Sequence, residues 1–410
     1  MRFSFSCLVF YSAGLLLSAL QSVHAASPVI TNGIAAVAVG DAFTAYLEVN
    51  GSLYTTGSNQ SGQLGTDAVS SRSYFGYVAS GVTSVACGSN HVIFVKNDES
   101  LWAMGDNQYG QLGDGSTTPS FVPKQILASG VASVSAGSEH SLFVKTNGSL
   151  WAMGQNIAGQ LGDGFDADQH SPVMVVGSSV ASASAGYRHS LYVKTDGSLW
   201  GMGVALDGAL GSGSTDEVFT PMRIIDSDVS SASAGGRHSL FLKTDGSLWS
   251  MGYNASGQLG DGSTIIRNTP FNVAASGVNA ISAGGDHSLY VKSDGSLWGM
   301  GNNIFGQLGD GSKTNRLQSV NVISSDVVSV ATGNSHSLYA MNTELLHAMG
   351  RNAVGQFGNG ATNDSSTPVT VLHGDLRVTM SEDASPTAWS APSLVATDAD
   401  ADTLTWSLAS

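Results

Sequence analysis

The chain has 410 residues, of which 42% are hydrophobic and only 11% charged, and it contains 51 glycines. That is enough apolar material for a large core and too few charged residues to coat helices, so strands and tight turns are expected. Sixteen basic residues against 31 acidic ones give a net charge of −15, and a surface of that sign repels phosphate backbones, which argues against nucleic acid and anionic membranes as partners.

Residues 1–25 carry one charge, Arg2, then an apolar stretch from Phe3 to Leu20, then Val23-His24-Ala25 ahead of Ala26. This is the pattern of a signal peptide cleaved after Ala25, and it implies export to the cell surface or the medium. The uncharged run approaches the roughly 20 residues of a spanning helix. The small-residue site favours cleavage over retention as an anchor, so no membrane insertion is expected afterwards. Cys7 leaves with the leader, so Cys87 has no intramolecular disulfide partner. It occupies a position held by Ala or Thr in related segments and is expected to be a small buried apolar residue, not a nucleophile.

From residue 34 onward the chain repeats itself. Gly57, Gly105, Gly154, Gly203, Gly252, Gly301 and Gly350 close successive copies of Gly-Ser-Leu-Trp-x-Met-Gly, 48 residues apart once and 49 thereafter. A second half, Ala-Gly-x-x-His-Ser-Leu, places His91, His140, His189, His238, His287 and His336, with Phe43 at that position in the first copy. Residues 180–185, 189–195, 198–202 and 219–225 read as four strands of one unit. Asp196-Gly197, repeated as Asn50-Gly51, Asn147-Gly148, Asp245-Gly246 and Asp294-Gly295, reads as a two-residue type I′ hairpin. That turn also accounts for the Asn-Gly-Ser tripeptides without glycosylation.

Period-two alternation sends Leu150 to one face of its strand, Trp151 and Met153 to the other, and each face needs a neighbouring sheet. Seven such units cannot bury both faces alone, whereas a radial arrangement does so. The expected fold is therefore all-β, a seven-bladed β-propeller of four-stranded blades over 26–373. Ser27-Pro28-Val29 and Thr367-Pro368-Val369 resemble each other at its two ends, so one terminus is expected to complete the blade begun by the other.

The repeated Ala-Gly-x-x-His-Ser-Leu and Gly-x-Leu-Trp-x-x-Gly-x-Asn-x-x-Gly-Gln-Leu-Gly resemble the regulator-of-chromosome-condensation repeat over about residues 34–371. That family includes an exchange factor for a small GTPase, ubiquitin-ligase modules, a plant ultraviolet receptor and secreted bacterial β-lactamase inhibitors. The resemblance therefore implies the fold and no single activity.

One histidine per blade suits metal binding or acid–base chemistry by residue type. Residues repeated around a ring do not converge on one ion, however, and each histidine is expected to tie its own blade's backbone together. The run from Gly306 to Thr314 superficially resembles a phosphate-binding loop but lacks Lys directly after its last glycine. No nucleophile elbow, zinc-protease motif or paired-cysteine pattern occurs, so no catalytic site and no cofactor are expected.

Where the units differ they are free to meet a partner. The two residues before each histidine and those between Asn and Gly-Gln-Leu-Gly vary most, and Tyr109, Ile157, Tyr187, Arg188, Arg237, Tyr253 and Phe305 are the expected contacts.

Residues 374–410 change character, with one arginine, no lysine and the alternating acids Asp398, Asp400 and Asp402. They resemble the start of a cadherin-like tandem repeat and fall short of the roughly 100 residues of a β-sandwich, so an incomplete, truncated sandwich-like domain is expected. That likeness implies calcium ligation by the three aspartates only where the domain is complete.

The expected function is an exported, monomeric binding or adhesion module for a protein or a glycan. The alternative is a secreted inhibitor of an enzyme, resembling the β-lactamase inhibitors. Guanine-nucleotide exchange and a propeller lyase rank lower, since exchange conflicts with export and a lyase needs an asymmetric acid–base cluster.

Overall fold

Twenty-eight antiparallel strands, numbered β1–β28 in chain order, form seven four-stranded sheets, each made of four consecutive strands. This is a computed structural model, and it describes residues 33–371 except positions 69 and 344. The leader, the acidic tail and the proposed calcium ligands Asp398, Asp400 and Asp402 lie outside the described residues.

The fourth blade runs β13 (Val180–Ala185), β14 (His189–Lys194), β15 (Leu199–Gly203) and β16 (Val218–Ile225) from the ring's axis outward. Alternation works as expected from the pleat. Leu150 packs with Val180, Tyr192 and Met202 of the following blade. Met153 and Trp151, one pleat position away, pack with Ile93, Leu101 and Leu112 of the preceding blade.

Trp151 sits at the end of this interface, half-buried. It stacks on Phe143 with centroids 6.2 Å apart, donates its indole N–H to Ser149 Oγ at 2.9 Å and lies under the Lys145 ammonium at 4.2 Å. The lysine stem and charge cover the exposed ring face, so the tryptophan caps a core while its polar edge is satisfied. Trp102, Trp200, Trp249 and Trp298 repeat the arrangement. Tyr54 and His347 replace it in the first and last blades, stacked on Tyr46 and Tyr339.

The ring closes without exchange of a strand among the described residues. β1 (Ile34–Val39) pairs with β2 (Phe43–Glu48) of its own blade, and β28 (Ser365–Val371), which contains Thr367-Pro368-Val369, pairs with β27 (Leu346–Gly350). Ser27-Pro28-Val29 falls outside the described residues. Side chains make the closure: Ile34, Tyr46 and Phe75 of the first blade share a core with Leu338, Leu346 and Phe357 of the seventh, and Thr56 Oγ1 donates to Gly355 O at 3.0 Å. Each interface is a sheet packed on a sheet, and the last one needs nothing different in kind.

The hairpin differs from the type I′ expectation. Gly197 is left-handed at φ 78°, whereas Asp196 is absent from the left-handed non-glycine residues, which are Glu99, Ser179, Asp228 and Asp326. Gly197 N–H donates to Lys194 O at 2.9 Å and Lys194 N–H to Ser198 O at 3.0 Å, the pattern of a type I turn followed by a glycine bulge. Aspartate is favoured because its Oδ1 accepts the Ser198 N–H at 2.9 Å.

In the second blade Glu99 occupies the glycine position at φ 62°. A side chain in that conformation costs about 1–2 kcal/mol. Glu99→Gly should raise unfolding stability by about 1 kcal/mol in denaturant titrations; a loss of stability would show that the glutamate side chain makes a compensating contact.

Candidate functional site

In every blade two loops meet at the same end of the ring: the loop before the histidine strand and the loop after Met-Gly. Gln155 N–H donates to Glu139 O at 2.8 Å, Val204 to Arg188 at 2.8 Å, Tyr253 to Arg237 at 2.9 Å and Arg351 to Ser335 at 2.9 Å. Tyr109, Ile157, Arg188, Arg237, Tyr253 and Phe305, scattered over 197 sequence positions, thereby share one face. Arg188, Arg237 and Ile157 are exposed, and Tyr109, Tyr253 and Phe305 are half-buried. Arginine meets aromatic ring twice on this face: the Arg237 guanidinium lies 3.7 Å from the Tyr253 ring centre, and that of Arg351, in the next blade, lies 5.3 Å from Phe305.

In every blade but the fourth, a repeated Asn of the loop makes the frame that holds these side chains. Asn156 is fully buried. Its Oδ1 accepts from Leu161 N–H at 2.9 Å and its Nδ2 donates to Asp163 Oδ1 at 2.9 Å and Phe165 O at 3.0 Å. Asn107, Asn254 and Asn303 do the same. The side-chain amide thus substitutes for backbone partners in a loop with no ladder of its own.

Tyr187 belongs to a different surface. The first of the two variable residues in each loop, namely Asp41, Ser89, Ser138, Tyr187, Gly236, Gly285 and Asn334, lines the axial channel, a cavity of about 150 Å³. There the blades are joined by backbone bonds: Asp41 N–H to Ser89 O, Ser89 to Ser138, Ser138 to Gly186, Tyr187 to Gly235, Gly236 to Gly284 and Gly285 to Gly333, between 2.9 and 3.3 Å. Glycine is required beside them: a Cβ on Gly186 would lie 2.5 Å from Gly235 O and 2.6 Å from His189 Cε1. Cys87 also lines the channel. It is half-buried, not buried as expected, and burial still pushes its thiol well above the ordinary range.

Burial raises Asp41 to about 6, with a Ser89 hydrogen bond opposing the rise. Glu139 rises to about 7, through burial first and then the charges of Asp106 and Asp41.

The histidines do not bind their own blade's backbone through their side chains, as expected above; they bind the next blade. His91 Nε2 lies 2.9 Å from Ser141 Oγ, His140 2.8 Å from Ser190, His189 2.9 Å from Ser239, His238 2.8 Å from Ser288 and His287 2.7 Å from Ser337. His336 reaches round to Thr44 Oγ1 at 3.0 Å. Each hydroxyl spends its proton on a loop carbonyl of the preceding blade, as when Ser141 Oγ donates to Gln111 O at 2.8 Å, so it must accept from imidazole Nε2–H. That places a proton on Nε2 of each ring, while Nδ1 of His91, His140, His238, His287 and His336 meets no acceptor, so a second proton there would be buried and unpaired. Complete burial holds His91, His140, His238, His287 and His336 near 3 and His189 near 4.

The seventh link is apolar, with Phe43 of the first blade packing in one core with Val92 of the second. Phe stands for His and Val for Ser, together. Sequence reasoning noticed the Phe43 exception; the compensating Val92 was open to the same comparison, once the residue after each histidine is read as the partner of the histidine one blade earlier.

These blades and their axial links define a closed propeller whose loops, not a cleft, carry its variation. The chain belongs to the family of the regulator of chromosome condensation (RCC1) repeat, matched at residues 50–95, 98–144, 147–193, 196–242, 245–291 and 294–340, with a second model of the same description at 34–63, 82–111, 131–160, 229–258 and 278–307. Human WBSCR16 is similar at 24% identity and a TM-score of 0.68, over 75% of this chain and 86% of that one. Prp20p from Saccharomyces cerevisiae, a protein with binding properties toward Gsp1p and histones, is similar at 21% identity and a TM-score of 0.67, over 75% and 82%. The same yeast protein bound to Kap60 gives 20% identity and 0.66, over 73% and 78%. At these identities the likeness establishes the fold. No curated protein matches the chain by sequence.

The apolar link suggests a direct test of the polar ones. His189→Phe or Ser239→Val alone should each cost about 2 kcal/mol, from a buried group left unpaired or crowded. The double variant should recover at least about 1 kcal/mol of the summed loss. Strict additivity in denaturant unfolding would mean that the two side chains are energetically independent.

The six imidazoles also set a pH dependence. Their folded pKa values lie below the unfolded 6.5, so the unfolded chain binds more protons below that pH. Their contribution is complete above pH 6.5 and is lost as pH falls toward 3–4, at up to about 1.4 kcal/mol per histidine per pH unit. Asp41, Glu139 and Asp286, raised, act oppositely in the upper part of the window, but they are three against six. Thermal stability should therefore fall steeply between pH 6.5 and pH 4, and a flat profile there would contradict the neutral assignment.

Proposed function

We propose that this protein is an exported or cell-surface recognition module that holds a protein ligand against the loop face of its ring and does not catalyse a reaction. The observation that carries the reading is the gathering of Tyr109, Ile157, Arg188, Arg237, Tyr253 and Phe305 onto one end. Aromatic and arginine side chains on a rigid frame are the composition of an interaction surface. Structurally similar Prp20p binds proteins, which supports a protein ligand ahead of a glycan. The leader pattern of residues 1–25 supports export, and the charge of −15 disfavours nucleic acid. The histidines, the repeated acid–base candidates, are buried, held well below the ordinary imidazole range by that burial and occupied at Nε2 by the next blade's hydroxyl, which supports binding over chemistry.

The enzyme-inhibitor reading is a narrower form of the same proposal. The axial channel holds only about 150 Å³, less than a small-molecule pocket usually offers, which favours a broad protein surface over a small molecule. Exchange on a GTPase has less support, because the repeat spacing of 48 or 49 residues leaves no long insertion to displace a nucleotide.

The test is partner capture from the secretome of the source organism by the mature ring, followed by affinity measurement on the captured protein. Ile157→Asp with Tyr253→Ala should weaken the complex by about tenfold or more, whereas Thr195→Glu, on the hairpins at the opposite end, should leave it unchanged. Loss through Thr195→Glu alone would move recognition to the other face. A partner whose own enzymatic activity disappears in a one-to-one complex would select the inhibitor form.

A further inference from the structure

The loop face is divided. The residue after the repeated Asn is Gln60 and Gln108 in the first two blades and Ala255 and Ala353 in the fifth and seventh. In the third, fourth and sixth it is aliphatic and exposed: Ile157 at 63%, Leu206 at 67% and Ile304 at 54%. Leu206 escaped sequence reasoning because its loop has Ala205 in place of the framing Asn and Ala209 in place of Gln.

The same arc carries Arg188 and Arg237. In the second, third and sixth blades the second variable residue of the loop accepts a hydrogen bond from the preceding blade's Gln: Gln63 donates to Asn90 at 3.2 Å, Gln111 to Glu139 at 2.8 Å and Gln258 to Asp286 at 3.0 Å. Arginine cannot accept. Before Arg188, Gln160 turns instead to Gln155; before Arg237 the glutamine is missing. Among the ion pairs of the described residues Arg188 takes part in none, and Arg237 reaches Asp207 at only 3.6 Å. Arg188, in no ion pair of the described residues, and Arg237, loosely paired with Asp207 and within the field of Asp286, flank exposed aliphatic side chains on a chain with nearly twice as many acids as bases.

We infer that the arc of blades three to six is the docking footprint, and that its occupant is an acidic protein segment which lays apolar side chains on Ile157 and Leu206 and carboxylates on Arg188 and Arg237. This rests on the recognition reading above and narrows it. A carboxylate supplies the acceptor that Arg188 lacks, and Arg237, already stacked on Tyr253, presents its fork without further ordering. Asp41 and Asp106 of the first two blades, with Glu139 at the blade-three edge of the arc beside them, repel the same segment and so fix which way round it lies.

The probe is the blocked hexapeptide Glu-Glu-Leu-Phe-Glu-Glu, titrated into the full chain by calorimetry, beside its counterpart with every Glu replaced by Lys. The acidic peptide should bind, more weakly as salt rises, and the basic one should not. Arg188→Glu with Arg237→Glu should weaken binding by about tenfold or more, Ile157→Asp with Leu206→Asp likewise, and Gln108→Glu should have little effect. No binding of the acidic peptide, equal binding of the basic one, or indifference to the arginine changes overturns the inference. A captured protein partner that depends on Gln108 and not on Arg188 would leave the recognition face standing and remove this footprint.

Discussion

The structure depends on one contact repeated around the axis: a buried imidazole of one blade donating to a hydroxyl of the next, which in turn donates to a loop carbonyl of the first. Packing of sheet on sheet supplies attraction without direction, because Leu, Met and Val tolerate sliding. A hydroxyl held between imidazole and carbonyl tolerates little, since displacing it leaves buried polar groups unpaired. Six such clamps and one Phe43–Val92 contact therefore set the registration of seven blades. That one position does without the polar version indicates that shape and hydrogen bonding serve the same end.

The covalent chain reinforces the same joints. A matched repeat such as 196–242 begins in the hairpin before β15, continues through β16, and then supplies β17 (Val229–Ala234) and β18 (His238–Lys243) to the following blade. Every repeat therefore straddles an interface. The final joint, between seventh and first blades, is made among the described residues by the same cores and clamps, with no covalent crossing between its blades.

With the scaffold so constrained, variation is confined to places that touch neither core nor clamp. At the loop end the buried Asn frame, Asn156 and its counterparts, fixes the backbone whatever the intervening residues are. Ile157 can thus stand where Gln108 stands, and Arg237 where Glu139 does, without disturbing the blade. The hairpin end is more uniform, with lysine over tryptophan in five blades. Diversity at one end and sameness at the other is the physical basis for the proposal that recognition falls on the loops.

Blade number, the four strands of each blade and the two-sided burial of Leu150 and Met153 were all legible in the sequence, because they follow from periods of 49 and of two that are local properties of the chain. The variable positions were legible too, by comparing units with one another. What only the tertiary structure decided was which residues meet across a joint. The histidine's partner lies 50 residues away in another sheet, the type I hairpin depends on dihedral angles that Asp-Gly alone leaves open, and the division of variable residues between channel wall and outer face depends on which of two adjacent side chains turns toward the axis. Periodicity specifies each blade, but the contacts between blades exist only once the ring has closed.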